Sequence, residues 1–436
     1  MRSKIPRPTM TVEDALKANG TSALVRDERV YEFISPVFGG GVRIDGHRKP
    51  ADPITPVRGS AIRGQLRFWW RAVNPRKASS LEELFKEEKK VFGAAAGGAD
   101  GSAGTLDVRV VKQPKNPETF HVLKQGDKFK HEQGMQGLAY GAFPLRDPAE
   151  SAKHGTLHLY QESWTVVFTY ADAIKEDIQA ALWAWAHFGG LGGRTRRGFG
   201  AIAQRTPGLL SIEEGLKRWL GDGSKNRGHL PWPHMKSDTS LMVRARQSFP
   251  KGLDAQEHLL KLLRRLRQDD IGRNPNGRER NRPGRSYWPE PDTIRAMTGK
   301  SSADHRSAIT DVRAAPRAAF GMPIVFHFKD RGDPDDSQLL PRLENTELGR
   351  LASPLILRPH QCSDGTFEAL ALVLAHPAPT DVVFVSQGHR ARTDPVRPTV
   401  TIDEAKKLKP LNAPKGATAP FTDPLQRYLH LLQYGT

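Results

Sequence analysis

This sequence is poor in cysteine, in long apolar runs and in acidic residues, and each shortage narrows what the chain does. Cys362 is its one cysteine, which excludes an internal disulfide and any multi-cysteine zinc site and suits a reducing cytoplasm. No stretch of about 18 apolar residues is present to span a bilayer, and the opening MRSKIPRPTM lacks the apolar centre of a signal peptide. A cytoplasmic chain without a membrane partner is therefore expected. No paired acidic motif on a hairpin points to a polymerase or cyclase. His154 and His158 have HxxxH spacing, but their segment alternates like a strand, where residues four apart stand about 13 Å from each other, too far to share one ion. No cofactor and no metal are expected.

What is plentiful is positive charge. Lysine and arginine number 66 against 48 acidic residues, a formal charge of +18, so the molecule attracts polyanions, with nucleic acid the first to consider. At 436 residues two domains are the natural expectation.

The charge meets small residues in GGLGGRTRRGFG, residues 189–200. Gly189, Gly190, Gly192 and Gly193 lack a Cβ, so the backbone is free to turn its N–H groups toward an anion. Arg194, Arg196 and Arg197, flanking Thr195, add planar forks that match a phosphodiester. Upstream, Ile174, Ile178, Ala181, Leu182, Trp185 and Phe188 fall at helical spacing, with Asp172 as a cap and Gly189 as the stop. Residues 199–203 then read as a strand. Helix, loop, strand is the reverse of a dinucleotide fingerprint or a Walker loop, which need strand, loop, helix. The stretch reads as a phosphate cradle; the alternative is a basic surface loop.

Residues 1–28 read as a tail with one short helix near residues 13–18. A strand at 30–34 leads into a long loop, and Ser60 stands where a helix cap belongs. Ile62, Leu66, Trp69, Trp70 and Val73 share one face of that helix, a stripe wide enough to bury the tryptophans in the core. Arg63, Arg67 and Arg71 span about 12 Å of another face, as a phosphate-tracking row or as a solvated surface; both readings stand. Strands at 106–111 and 164–170 follow. With the helix before the glycine loop and the strand after it, residues 29–205 run β-α-β-β-α-β, a ferredoxin-like (RRM-like) unit carrying a long insertion before its third strand. Residues 206–240 read as the connection between domains, with a short helix near 213–220. In 241–436, a strand at 241–249, a helix marked by Leu259, Leu260, Leu263 and Leu266, strands near 324–328, 370–374 and 382–385, and a C-terminal helix suggest a second, divergent ferredoxin-like domain. The expected fold class is α+β, two such domains in tandem with long inserted loops. Arg273, Arg278, Arg280, Arg282 and Arg285 crowd a loop rich in Asn, Pro and Gly, read as RNA-binding or as solvated charge.

The glycine loop together with TPVRGSAIRGQLRFWWRA, residues 55–72, resembles the RAMP superfamily of CRISPR-associated proteins. LRFWWRA, GLAYGAFP (137–144), GRSYWPEPDTIR (284–295), RAAFGMPIVFHF (317–328) and RLASPLILRPH (350–360) are more particular, and similar to the first-numbered RAMP subunits of type III-B (Cmr) effector complexes. The resemblance implies a non-catalytic subunit near the 3′ end of the CRISPR RNA. Its partners would be that RNA, complementary target RNA and other RAMP subunits. The RNA-contacting set is expected to be Arg58, Ser60, Arg63, Arg67, Gly190, Gly192, Gly193, Arg194, Thr195, Arg196, Arg197, Arg278, Arg280 and Arg285. The rival class is a RAMP-type endoribonuclease. It would need a base such as Asp45, His47, Asp52 or His187 and a cation on the phosphate such as Arg58 or Lys49.

Overall fold

The computed structural model describes residues 23–39, 55–75, 77–94, 104–125, 128–131, 135–145, 155–221, 230–236, 242–274, 285–343, 346–386, 393–414 and 416–435. In chain order the first half runs β1 (Leu24–Phe33), α1 (Gly59–Val73), α2 (Leu81–Phe92), β2 (Leu106–Lys112), β3 (Pro117–Gln125), β4 (Lys128–His131), α3 (Gln136–Gly141), β5 (Gly155–Tyr160), β6 (Trp164–Ala171), α4 (Lys175–Phe188) and β7 (Ile202–Gln204). The expected β-α-β-β-α-β succession is β1, α1, β2, β6, α4 and β7, whose strands lie side by side as β2-β6-β1-β7, every pair antiparallel. Period-two alternation in β6 puts Trp164, Val166, Phe168 and Tyr170 on the buried face. Tyr31 of β1 sits 5.1 Å from both Trp164 and Trp185 of α4, ring centre to ring centre. Trp69 and Trp70 are both buried with Ile62, Leu66 and Val73, as the wide stripe requires.

Three details differ from expectation at the helix starts and in the insertion. Ser60 does not cap α1; the helix begins at Gly59 with Arg58 as its cap residue and no side-chain cap bond. Asp172 lies in a 3₁₀ turn (Asp172–Ile174) ahead of α4 rather than at its cap. The insertion folds as its own antiparallel sheet, β4-β3-β5.

The second half contains β8 (Met242–Phe249), α5 (Gly252–Arg267), α6 (Glu290–Thr298), β9 (Ile324–Phe326), β10 (Ser337–Leu343), β11 (Thr346–Glu347), β12 (Leu355–Gln361), β13 (Phe367–Val373), β14 (Asp381–Ser386), α7 (Ile402–Lys407) and α8 (Pro424–Tyr434). β8, α5, β12 and β13 repeat the first strand-helix-strand-strand of the N-terminal unit, in the same lateral order, β12-β13-β8. Among the described residues no strand takes the fourth place beside β8. β9, β10 and β11, inserted before β12, instead join β14 in a separate sheet.

The two halves share their cores. Residues 206–240, read from sequence as a connection, send Ile212, Leu216, Leu220, Leu230, Trp232 and Met235 into the first core, where Ile356, Leu370 and Leu372 from β12 and β13 also pack. In return Phe120, Leu138, Leu157 and Phe199 from the first half lie in the second core with Leu259, Leu263, Leu357 and Tyr428.

Candidate nucleic-acid interface

The glycine loop leaves α4 at Gly189 and returns into β7 after a tight double-back. Gly192 holds φ +86° and Arg194, unusually for a side-chain-bearing residue, φ +55°. Most loop amides are committed internally: Leu191 N–H donates to Gly200 O (2.9 Å), Gly193 N–H to Phe38 O (2.7 Å), Arg197 N–H to Arg194 O (2.8 Å), Gly198 N–H to Thr195 O (3.0 Å) and Gly200 N–H to Pro36 O (2.8 Å). Gly190 bridges Ala201 across the loop. The N–H groups of Gly192, Arg194, Thr195 and Arg196 at the tip donate to no group among the described residues. A Cβ at Gly190 would collide with Gly200 O and one at Gly193 with Phe38, so both glycines allow close packing of the loop on itself and on Phe38.

The arginines expected to act together are divided, because the loop lies against β12: Leu357 N–H donates to Arg196 O at 3.1 Å. Arg196 donates to Ser353 O, with its guanidinium over the Phe68 ring at 5.2 Å. Arg197 reaches Leu355 O (3.3 Å) and Phe320 O (3.5 Å), and burial with the Arg267 guanidinium nearby lowers it to about 10. Arg194 stays exposed. Arg194 and Arg197 line a cavity of about 810 Å³ between the loop and the second half of the chain.

That cavity is where positive charge gathers. Arg194, Arg197, Arg267, Arg273, Arg285, Arg295, Arg317 and Lys329 all line it. Three are neutralised locally: Arg285 pairs with Asp292 (3.2 Å), Arg295 with Asp292 and Asp333 (3.0 Å each), and Arg317 with Glu290 (2.9 Å). Arg194, Arg197, Arg267 and Arg273 have no carboxylate at ion-pair distance among the described residues. Arg267 donates to Tyr140 Oη at 2.9 Å, while its buried Nε, and Nη2 of Arg317, make no hydrogen bond. Burial lowers Arg273 and Arg317 from the ordinary arginine range. An anion entering the cavity would relieve that crowding and satisfy the idle donors. Phe143 and Val325, both on the lining, are large apolar groups left half exposed, and the Phe143 ring is a surface on which a base can stack.

The other residues singled out from the sequence lie elsewhere. Arg63 donates to Leu106 O and Phe92 O, and Arg67 and Arg71 both meet Glu88 of α2, so α2 covers much of the arginine face that sequence leaves open to a phosphate strand. Arg278 and Arg280 fall outside the described residues, as do Asp45, His47, Lys49, Asp52 and His154. His187 is buried, with Nε2 2.8 Å from Leu210 O and Nδ1 3.2 Å from His360 Nε2. Burial lowers it to about 4, so it is a neutral ring held by protein partners, not a base facing the cavity. Arg267, Arg317, Tyr140 and Phe143 are site residues that sequence reasoning misses, although the last three stand in the motifs RAAFGMPIVFHF and GLAYGAFP.

Residues 30–203 match the RAMP superfamily. No curated protein sequence matches the chain. Similar solved structures include Cmr1 from Pyrococcus furiosus in its apo form, 13% identical with a TM-score of 0.45 over 81% of this chain and 89% of that one. Two others are chains of type III-B Cmr-beta complexes bound to cognate target RNA. One, with AMPPnP and ssDNA also present, is 12% identical with a TM-score of 0.41, over 81% of this chain and 95% of that one. The other is 11% identical with a TM-score of 0.41, over 89% and 99%. The RAMP superfamily match, over residues 30–203, takes in both α1 and the glycine loop.

Proposed function

We propose that the protein is a non-catalytic RNA-binding subunit of a type III-B CRISPR effector complex. In this reading it works near the 3′ end of the CRISPR RNA beside other RAMP subunits, and helps capture complementary target RNA. The cavity between the glycine loop and the second half holds the sugar–phosphate backbone of single-stranded RNA. One observation carries this: four arginines without carboxylate partners converge there, next to four uncommitted amides at the tip of the loop. Such donors address phosphate rather than base edges, so binding is largely independent of sequence. Phe143 supplies a stacking surface that tolerates any base. The engagement of His187 on both ring nitrogens supports the absence of a histidine acid/base at the loop.

The test is photocrosslinking of 4-thiouridine-substituted single-stranded RNA to the full chain, followed by peptide mapping. Crosslinks are expected at the Phe143, Arg194–Arg197 and Arg267–Arg273 segments; crosslinks confined to other faces would overturn the site. Incubation of the same RNA with divalent metal should leave it intact. Cleavage that Asp52→Ala abolishes would replace the non-catalytic reading with the endoribonuclease one.

A further inference from the structure

A smaller cavity, of about 310 Å³, opens between α4, β7 and the hairpin that joins β12 to β13, lined in part by His187, Gln204, His360 and Cys362. On that hairpin His360 stands directly across from Glu368. Cys362 follows His360 by two residues, and side chains two apart along an extended chain point to the same side. The turn is closed by Cys362 N–H to Thr366 O (2.9 Å) and Gly365 N–H to Cys362 O (3.1 Å). Three donor atoms of different kinds result, an imidazole nitrogen, a sulfur and a carboxylate oxygen, all within 4.8 Å of one another.

The hydrogen bonds behind His360 fix which nitrogen it presents. Leu210 O can only accept, so His187 Nε2, 2.8 Å away, carries the hydrogen. His187 Nδ1 then accepts, and His360 Nε2, 3.2 Å from it, carries the next hydrogen. That leaves His360 Nδ1 as a bare lone pair. It is buried, has no hydrogen-bond partner, and lies 3.9 Å from Glu368 Oε2. Burial keeps both rings neutral, lowering His187 to about 4 and His360 to about 3. A ligating histidine whose other nitrogen donates to a fixed acceptor is the usual arrangement at protein metal sites.

We propose that His360 Nδ1, Cys362 Sγ and Glu368 bind one zinc-class divalent ion, with solvent from the cavity in the fourth position. Nitrogen, thiolate and one carboxylate select zinc and its close analogues over magnesium or calcium, which take oxygen donors. Burial and the neighbouring Glu368 and Asp364 carboxylates push the Cys362 thiol up, so binding exchanges its proton for the ion and releases one H⁺ to solvent. The competing cation is Arg244, whose Nε lies 3.4 Å from Glu368. Arg244 keeps a second carboxylate, Glu213, at 2.7 Å, so Glu368 can turn to the ion without stranding it. Through His187 the bound ion would tie the hairpin of the second half to α4 of the first.

The experiment uses the full chain titrated with Co²⁺ and, separately, Zn²⁺. Because Cys362 is the sole thiol in the sequence, a thiolate-to-cobalt charge-transfer band can arise from it alone. One ion per chain is expected, with that band present and the Tm raised by Zn²⁺, and with band and Tm shift both lost in Cys362→Ser. Glu368→Gln, a conservative change at a partly exposed position, should keep the fold by circular dichroism and weaken binding. His187→Gln should keep the band but lower affinity about 10–100-fold. Absence of the band, or Zn²⁺ binding of unchanged affinity in Cys362→Ser, would overturn the site and assign any uptake to scattered histidines.

Discussion

At the residue scale this protein buries arginines and holds them in two ways. Arg358, only 2% exposed, has no carboxylate beside it and donates instead to Trp185 O at 3.3 Å and to Ile202 O. Burial alone lowers it to about 9. Arg317 takes the other route, with its Nε and its backbone N–H both on Glu290 (2.9 and 2.8 Å). Glu290 is fully buried, so removing its charge strands a buried guanidinium. Glu290→Gln is expected to destabilise the fold by about 3 kcal/mol, the lower end for breaking a buried pair, read from urea unfolding midpoints; a loss under about 1 kcal/mol would show that the guanidinium finds water instead. The same chemistry explains what sequence conceals. The letters of TRR fix charge and fork shape, but not that backbone carbonyls of residues 353 and 355, more than 150 positions away, would take up Arg196 and Arg197. His187 next to Phe188 is legible as a packed residue, whereas its pairing with His360 depends on a cross-chain register that no local pattern records.

At the element scale the glycine loop is held by close approach as much as by charge. Gly200 has φ +62°, and a Cβ there would collide with Leu191 O, the backbone of the opposing limb. Gly208 has φ +89° but open space around it. Gly208→Ala should therefore cost only the left-handed penalty, roughly 1–2 kcal/mol. Gly200→Ala should cost clearly more, by about 2 kcal/mol or beyond. Thermal or urea unfolding of the two variants compares them, and equal losses would mean that the loop relaxes around the added methyl. The periodic elements are the legible ones: the strand at 164–170, the helices ending at Phe188 and at Arg267, and the β-α-β-β-α-β order. α2 escapes notice although its signals are present, Ser80 accepting from Glu83 N–H and Leu84, Glu88 and Val91 on the buried side. It covers the arginine face of α1, which is why that face looks open from sequence. β12 hides because LILRPHQ breaks its apolar run with Arg358 and Pro359, residues that fit only since Arg358 is met by carbonyls of the first half.

At the scale of the whole molecule the charge of +18 is not spread evenly in effect. Arg67 and Arg71 of α1, Arg264 and Arg265 of α5 and Arg295 of α6 have carboxylate partners, whereas Arg194, Arg197, Arg267 and Arg273, without one among the described residues, line the cavity beside the glycine loop. The cavity exists because the halves interlock, with β3, β5 and Phe199 packing on the second core while β12 and β13 pack on the first. A site shared between halves is beyond reach of motif reading, which finds the loop but not the wall opposite it. The central claim is that this wall and the loop together hold RNA phosphates. Its most direct test is the salt dependence of single-stranded RNA affinity for the wild-type chain and for a variant carrying Arg194→Gln, Arg197→Gln, Arg267→Gln and Arg273→Gln, both shown folded by circular dichroism. The wild type should lose affinity steeply as salt rises, and the variant should bind more weakly to every sequence, with a log–log slope shallower by about 0.7 for each phosphate contact removed. A folded variant with wild-type affinity and slope would contradict the account.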